Sequence, residues 1–444
     1  MDSHEDMKSS ALFNDKFQNR GNCKGCLNIW AKVVPFVLTS LLLASIFSFC
    51  FLNSPYHSYL VLNQGPQTLQ KQTQHHDQEE HPKATKVSSP QPHKEEKKCD
   101  LFKGHWVPTL EGSSSYYTNS SCTIIPDSKN CFKQGRKDTD FLNWKWKPDE
   151  CELPRFDPTT FLNIVRGKKM AFIGDSVARN HMDSLLCILS QEEIPKDMYK
   201  DSEDRYRTWY FPNHDFTLMV IWSRFLIAGE ERMVNGSGTS IFDLHLDKVD
   251  DNWAKELPDL DYALISGGHW FFRVMYLHKA GKLTACVYCN EPNVTNHNPD
   301  YLFRMAFRAA FNHINKCSRK TLALFRTFAP AHFENGVWNT GGYCNKTSPI
   351  NEGEVDFGRF EWQLRNAQMK EYERARNEGK KKGQRFEVLD VTRAMLMRPD
   401  GHPGEYWGNR WMKGYNDCTH WCLPGPVDMW SELLMAVLKR EDRI

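Results

Sequence analysis

The sequence lacks a strong excess of charge of either sign. It contains 57 Lys and Arg residues and 55 Asp and Glu residues, so the formal net charge of the 444-residue chain is only +2. A chain with so small a net charge has no global field that would recruit a nucleic acid. It also lacks the glycine-rich patterns G-x-G-x-x-G and G-x-x-x-x-G-K-[ST]. We therefore expect no bound cofactor and no nucleotide or coenzyme A cradle of those types.

Patterns that bind metal ions are equally scarce. Cys286 and Cys289 have the spacing of a zinc-binding pair, but no matching second pair accompanies them, and a disulfide is the more natural reading in an oxidising compartment. Cys23 and Cys26 have no nearby His or Cys that could complete a site. The sequence predicts no metal site.

Charge is wholly absent from residues 33–52, VVPFVLTSLLLASIFSFCFL. Twenty uncharged residues in a helix match the hydrocarbon thickness of a bilayer. Five basic residues precede this stretch and none follows it until Lys71, an asymmetry that places the preceding residues in the cytosol. We predict a cytosolic tail over 1–32 and an uncleaved transmembrane signal anchor over 33–52. A cleaved signal peptide is the alternative, but no small-x-small cleavage site is obvious near Ser48.

Cysteines and glycosylation sequons are plentiful beyond the predicted anchor. Eleven of the 14 cysteines lie from Cys99 onward, where an oxidising lumen favours disulfides, and the odd number leaves one of them free or paired with another chain. Residues 53–98 are polar and predict a flexible stem, so the lumenal domain would span 99–444. Four predicted glycosylation sites share the lumenal side: Asn119, Asn235, Asn293 and Asn345.

Short apolar runs alternate with helical patterns over residues 166–444, whereas residues 99–165 show little periodicity and many cysteines. The chain therefore predicts a disulfide-stapled, loop-rich N-terminal segment followed by a three-layer α/β domain with a mostly parallel sheet. Residues 223–260 are polar and irregular, so the pattern indicates strands there only weakly. The predicted strands are 168–173, 216–222, 262–266, 321–328 and 386–391, and helices are predicted after Ser176 and over 299–316 and 361–379.

Two short motifs carry candidate chemistry. Ser176 lies in Gly-Asp-Ser where a predicted strand meets a helix, and this position exposes the hydroxyl and directs helix N–H groups at a developing oxyanion. His420 follows Asp417 by three residues, so the carboxylate can orient the imidazole that would activate the serine. The alternatives are a helix cap at Asp175 or Ser176 and an ordinary surface turn at 417–420.

Weaker candidates surround these motifs. Arg179 and Asn180 could donate hydrogen bonds to an oxyanion or to substrate hydroxyls, or could be ordinary helix residues. Gly268, His269 and Trp270 end a predicted strand and should lie on the rim of the site. His269 is better explained as structural than as a second base, and Trp270 suits either a sugar platform or the core.

Longer blocks resemble the plant trichome birefringence-like proteins, which have a GDSL/SGNH-like fold. The resemblance runs over residues 99–440 and rests on CDLFKGHWV, CFKQGRKDTDFLNWKWKPDEC, FIGDSVARNHMDSLLC, GGHWFFR, FAPAHFENGVWNTGGYC and DCTHWCLPGPVDMW. It implies acetyl transfer to cell-wall polysaccharides, with Ser176 as nucleophile, His420 as base and Asp417 as its orienting carboxylate. The sequence SGGHW departs from the wider hydrolases, whose third block supplies an Asn to the oxyanion hole.

The resemblance also implies a cellular setting and a disulfide pattern. It suggests a single-pass type II Golgi membrane protein, an acetyl donor such as acetyl-CoA or a derived lumenal donor, and a multispan partner of the reduced-wall-acetylation type that supplies it. Cys286, Cys289 and Cys317 lie outside the implied pattern. The implied pairs are Cys99–Cys151, Cys122–Cys187, Cys131–Cys422 and Cys344–Cys418.

Within this family the blocks look most like the members that acetylate xyloglucan, and xylan or mannan members are the nearest rivals. Two other functions share the same residues. One is a polysaccharide acetylesterase, in which water takes the acetyl group. The other is a non-catalytic protein that binds wall polysaccharides.

Overall fold

The computed structural model describes residues 99–110, 115–317, 320–408 and 414–441. The strands are β1 (Gly104–Pro108), β2 (Trp144–Pro148), β3 (Lys169–Gly174), β4 (Lys196–Lys200), β5 (Tyr206–Phe211), β6 (Phe216–Trp222), β7 (Ile227–Val234), β8 (Ser237–Val249), β9 (Tyr262–Ile265), β10 (Val274–Lys279), β11 (Lys282–Val287), β12 (Asn296–His297), β13 (Leu322–Arg326) and β14 (Arg385–Leu389). The α-helices are α1 (Pro158–Ile164), α2 (Ser176–Leu189), α3 (Asp251–Ala254), α4 (Pro299–Cys317), α5 (Phe360–Lys380), α6 (Thr392–Leu396) and α7 (Asp428–Glu441).

The main sheet has seven strands in the order β14-β13-β9-β3-β6-β5-β4. The five strands from β14 to β6 pair in parallel, and β5 and β4 continue the sheet with antiparallel pairings. The parallel strands are the apolar runs that the sequence predicts, and α4 and α5 match the predicted helices within a residue or two. The predicted α/β fold is confirmed, and the main sheet is mixed, with five parallel strands extended by two antiparallel ones.

Helices cover both faces of this sheet. Met170 and Phe172 of β3 point to one side and join a core that contains residues of α1, α2 and α7. Ala171 and Ile173, the alternate residues of the same strand, point to the other side and join residues of α4 and α5. This alternation follows from the two-residue period of a strand. The result is the predicted three-layer arrangement, with the carboxyl ends of the parallel strands at one edge.

A second sheet, in the order β12-β11-β10-β8-β7, was not predicted from the sequence. Its long strands β7 and β8 lie within residues 223–260, where the polar composition indicates strands only weakly. They form an antiparallel pair joined at Asn235 and Gly236, which have φ angles of 50° and 78°. Two consecutive positive φ angles are the signature of a tight hairpin turn, for which Asn-Gly is the preferred dipeptide. Asn235 itself is exposed, as are the other predicted glycosylation sites Asn119, Asn293 and Asn345.

The N-terminal segment is tied to the α/β domain rather than separate from it. Strands β1 and β2 pair with each other, and the Trp106 indole on β1 donates to the Ala394 carbonyl of α6 over 2.8 Å. The structure contains the four disulfide pairs that the resemblance implies, together with a fifth between Cys286 and Cys289. The eleventh cysteine of the domain, Cys317, lies 3.9 Å from His313 Nδ1.

The predicted cytosolic tail, signal anchor and stem, residues 1–98, lie outside the described residues. Within the ranges that are described, no helix combines the length and apolar character needed to cross a bilayer.

Candidate active site

Ser176 is the first residue of α2, directly after the carboxyl end of β3. The chain turns sharply here because Gly174 has a φ of 152°, and a Cβ atom at this position would lie 1.9 Å from the Ser266 carbonyl oxygen. Asp175 caps the helix by accepting a 3.0 Å hydrogen bond from the Val177 amide. The amide of Ser176 lies in the first turn, where backbone N–H groups have no acceptor within the helix. It is therefore the candidate oxyanion donor.

Asp175 also organises the neighbouring loop after β9. Its second carboxylate oxygen accepts the amides of Gly268 at 3.0 Å and His269 at 3.2 Å. Burial opposes ionisation of this carboxyl, but hydrogen bonding and charge from His269, with the charge of Arg326, hold the pKa of Asp175 well below its ordinary value. Gly268 and His269 thus bind Asp175 through their amides, and this gives both residues a structural role beside the nucleophile turn, the kind of role that the sequence favours for His269.

The structure brings Ser176, His420 and Asp417 together. His420 Nε2 lies 2.7 Å from Ser176 Oγ, and His420 Nδ1 lies 2.7 Å from an Asp417 carboxylate oxygen. The ionised carboxylate can only accept, so Nδ1 carries the proton and Nε2 is left to accept the serine hydroxyl. This is the arrangement in which a histidine acts as the base for a serine nucleophile.

Asp417 is buried, with 5% of its residue surface exposed, and it is fully hydrogen-bonded. Its other carboxylate oxygen accepts the amides of Thr419 at 3.0 Å and His420 at 2.9 Å. Burial raises the cost of the charge, but the charge and hydrogen bonds of His420 outweigh it and hold the pKa of Asp417 well below its ordinary value. Asp417 is therefore ionised at neutral pH and can stabilise a protonated His420.

Asn180 holds the catalytic loop, residues 417–422, against helix α2. Its amide oxygen accepts the Trp421 N–H at 2.7 Å, and its amide nitrogen donates to the Trp421 carbonyl at 3.2 Å. Both polar ends of this buried side chain are therefore occupied by the backbone next to His420. The structure therefore gives Asn180 a positioning role beside the base, and a role towards an oxyanion or substrate stays a prediction.

Arg179 is also placed differently from the prediction. Its guanidinium donates to the Asp183 carboxylate at 2.8 Å and to the Asp204 carbonyl at 2.7 Å. Burial lowers its pKa, but the charges of Asp183 and Asp204 outweigh this effect and the net shift is upward. The side chain ties α2 to the turn before β5.

Two histidines beneath the catalytic loop were missed from the sequence. His402 Nδ1 donates to the His420 carbonyl at 2.6 Å, and His402 Nε2 lies 2.7 Å from Nδ1 of the buried His332. Burial lowers the pKa of His402 to about 4, so the neutral ring accepts at Nε2 from His332. His332 lies in the block FAPAHFENG and His402 in the block RPDGHPGEYWG. Neither histidine has a sequence spacing to Ser176 or His420 that would predict its place beneath the catalytic loop.

Two of the disulfides hold the catalytic loop from outside. Cys344 binds Cys418, and Cys131 binds Cys422, so both bonds end on residues that flank His420. In the part of the chain that the structure describes, no cluster of three or more His, Cys, Asp and Glu side chains could hold a metal ion. The site is thus a rigidly held serine–histidine–carboxylate chain at the carboxyl ends of β3 and β9, next to Trp270.

Comparison with known proteins identifies the family of this chain. Residues 97–152 match the PMR5 N-terminal domain, and residues 153–437 match the PC-Esterase family. Xyloglucan O-acetyltransferase 4 of Populus trichocarpa is 64% identical over 79% of this chain and 83% of its own length. Xyloglucan O-acetyltransferase 2 of Arabidopsis thaliana is 56% identical over 77% and 83%, and trichome birefringence-like protein 19 of the same plant is 45% identical over 78% and 82%. The chain belongs to the GDSL/SGNH-like acyl-esterase family found in Pmr5 and Cas1p.

Proposed function

We propose that this protein is an acyltransferase that transfers acetyl groups to hydroxyls of xyloglucan through an acetyl-Ser176 intermediate. The observation that carries the proposal is the hydrogen-bonded chain from Ser176 Oγ through His420 to Asp417, with both links at 2.7 Å. The choice of transfer to xyloglucan is supported by the relatives named for that activity, which are 56–64% identical to this chain.

The first half-reaction forms the acetyl-enzyme. His420 Nε2 takes the proton of Ser176 Oγ as the oxygen attacks the acetyl carbonyl of the donor, and Asp417 stabilises the imidazolium that results. The negative charge that develops on the carbonyl oxygen is met by the Ser176 amide and by the positive end of helix α2. The intermediate collapses when the bond to the donor's leaving group breaks and His420 returns the proton to that group.

The second half-reaction transfers the acetyl group to the sugar. A glycan hydroxyl takes the place of the leaving group, and His420 removes its proton as the oxygen attacks the acetyl-serine carbonyl. The ester bond to Ser176 then breaks and His420 protonates the serine oxygen, which restores the free enzyme. Transfer exceeds hydrolysis only if the bound glycan keeps water away from the acetyl-serine.

The cellular setting is part of the same proposal. Five disulfides and four exposed Asn-X-Ser/Thr sites suit a domain that folds in the secretory pathway. We place the protein in the Golgi membrane as a single-pass type II protein with a glycosylated lumenal domain. The acetyl donor would then reach the lumen through a multispan partner of the reduced-wall-acetylation type.

Mass spectrometry of glycan products tests the function directly. The full-length chain and Ser176→Ala are incubated side by side with an acetyl donor and with xyloglucan, xylan or mannan oligosaccharides. We expect a mass gain of one acetyl group on xyloglucan, reduced at least about 10³-fold in Ser176→Ala because the nucleophile is removed. A gain on xylan or mannan alone would contradict the substrate assignment, and acetate release without glycan gain would identify an esterase.

A further inference from the structure

Two arginines and a tryptophan lie in the loops that follow β6 and β9, the two strands that flank β3 and its nucleophile turn. Trp222 of β6 pairs with Gly174 of β3, and the Ser223 amide that follows donates to the Gly174 carbonyl at 2.8 Å. Arg224 therefore leaves the sheet next to Ser176 on one side. On the other side, the loop after β9 is tied to Asp175 and continues into Trp270 and Arg273. The two loops converge at the carboxyl edge of the sheet.

The two guanidinium groups are stacked on the same indole. The Arg273 Cζ atom lies 4.3 Å from the centroid of the Trp270 ring, and the Arg224 Cζ atom lies 4.8 Å from it. Trp222 contacts the same ring edge-on, with centroids 6.4 Å apart. Trp338, with 48% of its surface exposed, lies 5.9 Å from Arg273 on the outer side. Stacking on aromatic rings fixes the planes of the guanidinium groups. Arg273 Nη1 also donates to the Trp270 carbonyl at 3.3 Å, which orients this group further.

The two guanidinium groups carry like charges. Glu231, which lies 3.8 Å from Arg224, supplies a negative charge beside them. Burial, followed by the positive charge of Arg224, lowers the pKa of Arg273, while Glu231 acts in the opposite direction. Two like charges held together in this way repel each other, and a bound anion relieves the repulsion with charge-assisted hydrogen bonds.

We infer that Arg224 and Arg273, stacked on Trp270, bind the phosphate groups of an acetyl donor. The inference rests on the proposed acetyl transfer, and it names the donor's chemical class as a phosphate-bearing acetyl ester or thioester. Binding of the acceptor does not require two positive charges, because xyloglucan is built mainly from neutral sugars. An arginine pair also offers phosphate recognition without the glycine-rich loops that the sequence lacks, since guanidinium groups bind phosphate oxygens in a bidentate manner.

Kinetics with two donors that share an acetyl group test the inference. Acetyl-CoA carries phosphates, whereas p-nitrophenyl acetate has no charge. We expect Arg273→Gln and Arg224→Gln each to lower kcat/KM with acetyl-CoA. This loss should exceed the loss with p-nitrophenyl acetate by at least about tenfold, and a higher KM for acetyl-CoA should account for most of it. Arg232→Gln is the matched control, because Arg232 pairs with Asp243 and stacks over Tyr276 on the second sheet. Its ratio of the two activities should equal that of the wild type.

Inorganic pyrophosphate provides a readout that needs no turnover. It should bind the wild-type protein and compete with acetyl-CoA, and both effects should weaken at least about tenfold in the two Gln variants. The inference would be overturned if the Gln variants lost equal factors of kcat/KM with both donors, or kept the wild-type ratio of the two kcat/KM values. Tighter binding of an acidic oligosaccharide than of pyrophosphate would also overturn it. If neither donor acetylates the wild-type protein or a glycan, the proposed function fails, while arginine-dependent pyrophosphate binding would still identify an anion site.

Discussion

Asp175 and Asp417 are both buried and ionised, yet they support the site in different ways. Asp175 accepts the Val177 amide of α2 and the amides of the loop after β9, and it contacts the His269 imidazole, so it fixes the backbone around Ser176. Asp417 binds the imidazole of His420 directly, so it determines which ring nitrogen carries the proton. The first carboxylate shapes the nucleophile turn and the second prepares the base. Replacing either one should therefore have a different signature.

Asp417→Asn should reduce kcat by about 10³- to 10⁴-fold and leave the fold intact. The Asn amide is nearly isosteric with the Asp carboxylate, but its NH2 group can donate to Nδ1 of His420. The histidine proton then lies on Nε2, and a protonated Nε2 cannot accept the hydroxyl proton of Ser176. Steady-state kinetics with p-nitrophenyl acetate and circular dichroism measure the two effects. Asp127→Asn, an exposed residue paired with Lys133, should retain wild-type kcat. A loss of less than tenfold in Asp417→Asn would show that the tautomer is set by other contacts.

Part of the site could be predicted from the sequence because the chemistry demands particular residues at short spacings. Ser176 after a strand, and His420 three residues after Asp417, are such cases. The roles of Arg179 and Asn180 could not be predicted, because they depend on what packs against helix α2. Twelve of its 14 residues are buried, and the contact with Trp421 comes from a loop 241 residues away. No local sequence pattern predicts that Trp421 contacts Asn180.

At the scale of elements, helix α7 begins with a carboxyl group that is buried by its neighbours. Asp428 accepts hydrogen bonds from Ser184 of α2 at 2.6 Å, from Tyr117 at 2.9 Å and from the Gly425 amide at 3.1 Å. Burial nevertheless dominates and raises the pKa of Asp428 from 3.8 to about 6. The junction between α2, α7 and the N-terminal segment is therefore sensitive to pH.

Asp428→Asn should flatten the dependence of stability on pH between pH 4 and pH 7. A carboxyl whose pKa is higher in the folded chain binds its proton more tightly there, so its stabilising contribution is full below pH 4 and is lost as the pH rises through about 6. The shift corresponds to on the order of 3 kcal/mol at most. Denaturant unfolding at several pH values measures the difference between the two proteins.

The control for this experiment is the exposed Asp149. Asp149→Asn should follow the wild-type curve over the whole range. Burial and, to a lesser degree, the charge of Asp428 raise the pKa of Glu432 to about 7, so Asp428→Asn lowers this second pKa as well and flattens the curve in the same direction. Parallel curves for the wild type and Asp428→Asn would mean that the folded-state pKa of Asp428 is close to its unfolded value.

The two sheets differ in how well the sequence predicts them, and the reason is burial. Strands β3, β9 and β13 are covered on both faces and consist of continuous apolar runs, which stand out in the sequence. Strand β8 alternates partly exposed and buried residues and belongs to an antiparallel pair that is polar on one side. The Asn235-Gly236 dipeptide between β7 and β8 is the sequence feature that indicates this hairpin. It predicts a hairpin turn when the alternating residues on either side are interpreted as strands.

At the scale of the whole molecule, disulfides join parts of the domain that are far apart in the sequence. Cys131–Cys422 spans 291 residues and connects the N-terminal segment to the catalytic loop. Cys344–Cys418 spans 74 residues and ends on the residue after Asp417. These bonds restrict the unfolded chain and also limit the positions that His420 can take.

Replacing Cys344 and Cys418 together by Ser should lower the free energy of unfolding by about 2–4 kcal/mol. It should also lower kcat, because the segment that carries Asp417 loses one anchor. Denaturant unfolding and kinetics with p-nitrophenyl acetate measure the two effects. The double replacement of Cys286 and Cys289 is the matched control, since that bond spans three residues on the second sheet. It should leave kcat unchanged, and equal kcat losses in both double variants would contradict a specific effect on the catalytic loop.

The distance in sequence between nucleophile and base has a consequence for biosynthesis. Ser176 and His420 are 244 residues apart, so at about 5–20 residues per second a ribosome makes the serine roughly 12–50 s before the histidine. During that interval the serine hydroxyl has no base and is an ordinary alcohol. Oxidation of Cys131 with Cys422 must also wait for the later cysteine. The nascent chain therefore does not react with acyl donors. This reactivity starts only when the segments that carry Ser176 and His420 have come together in the folded domain.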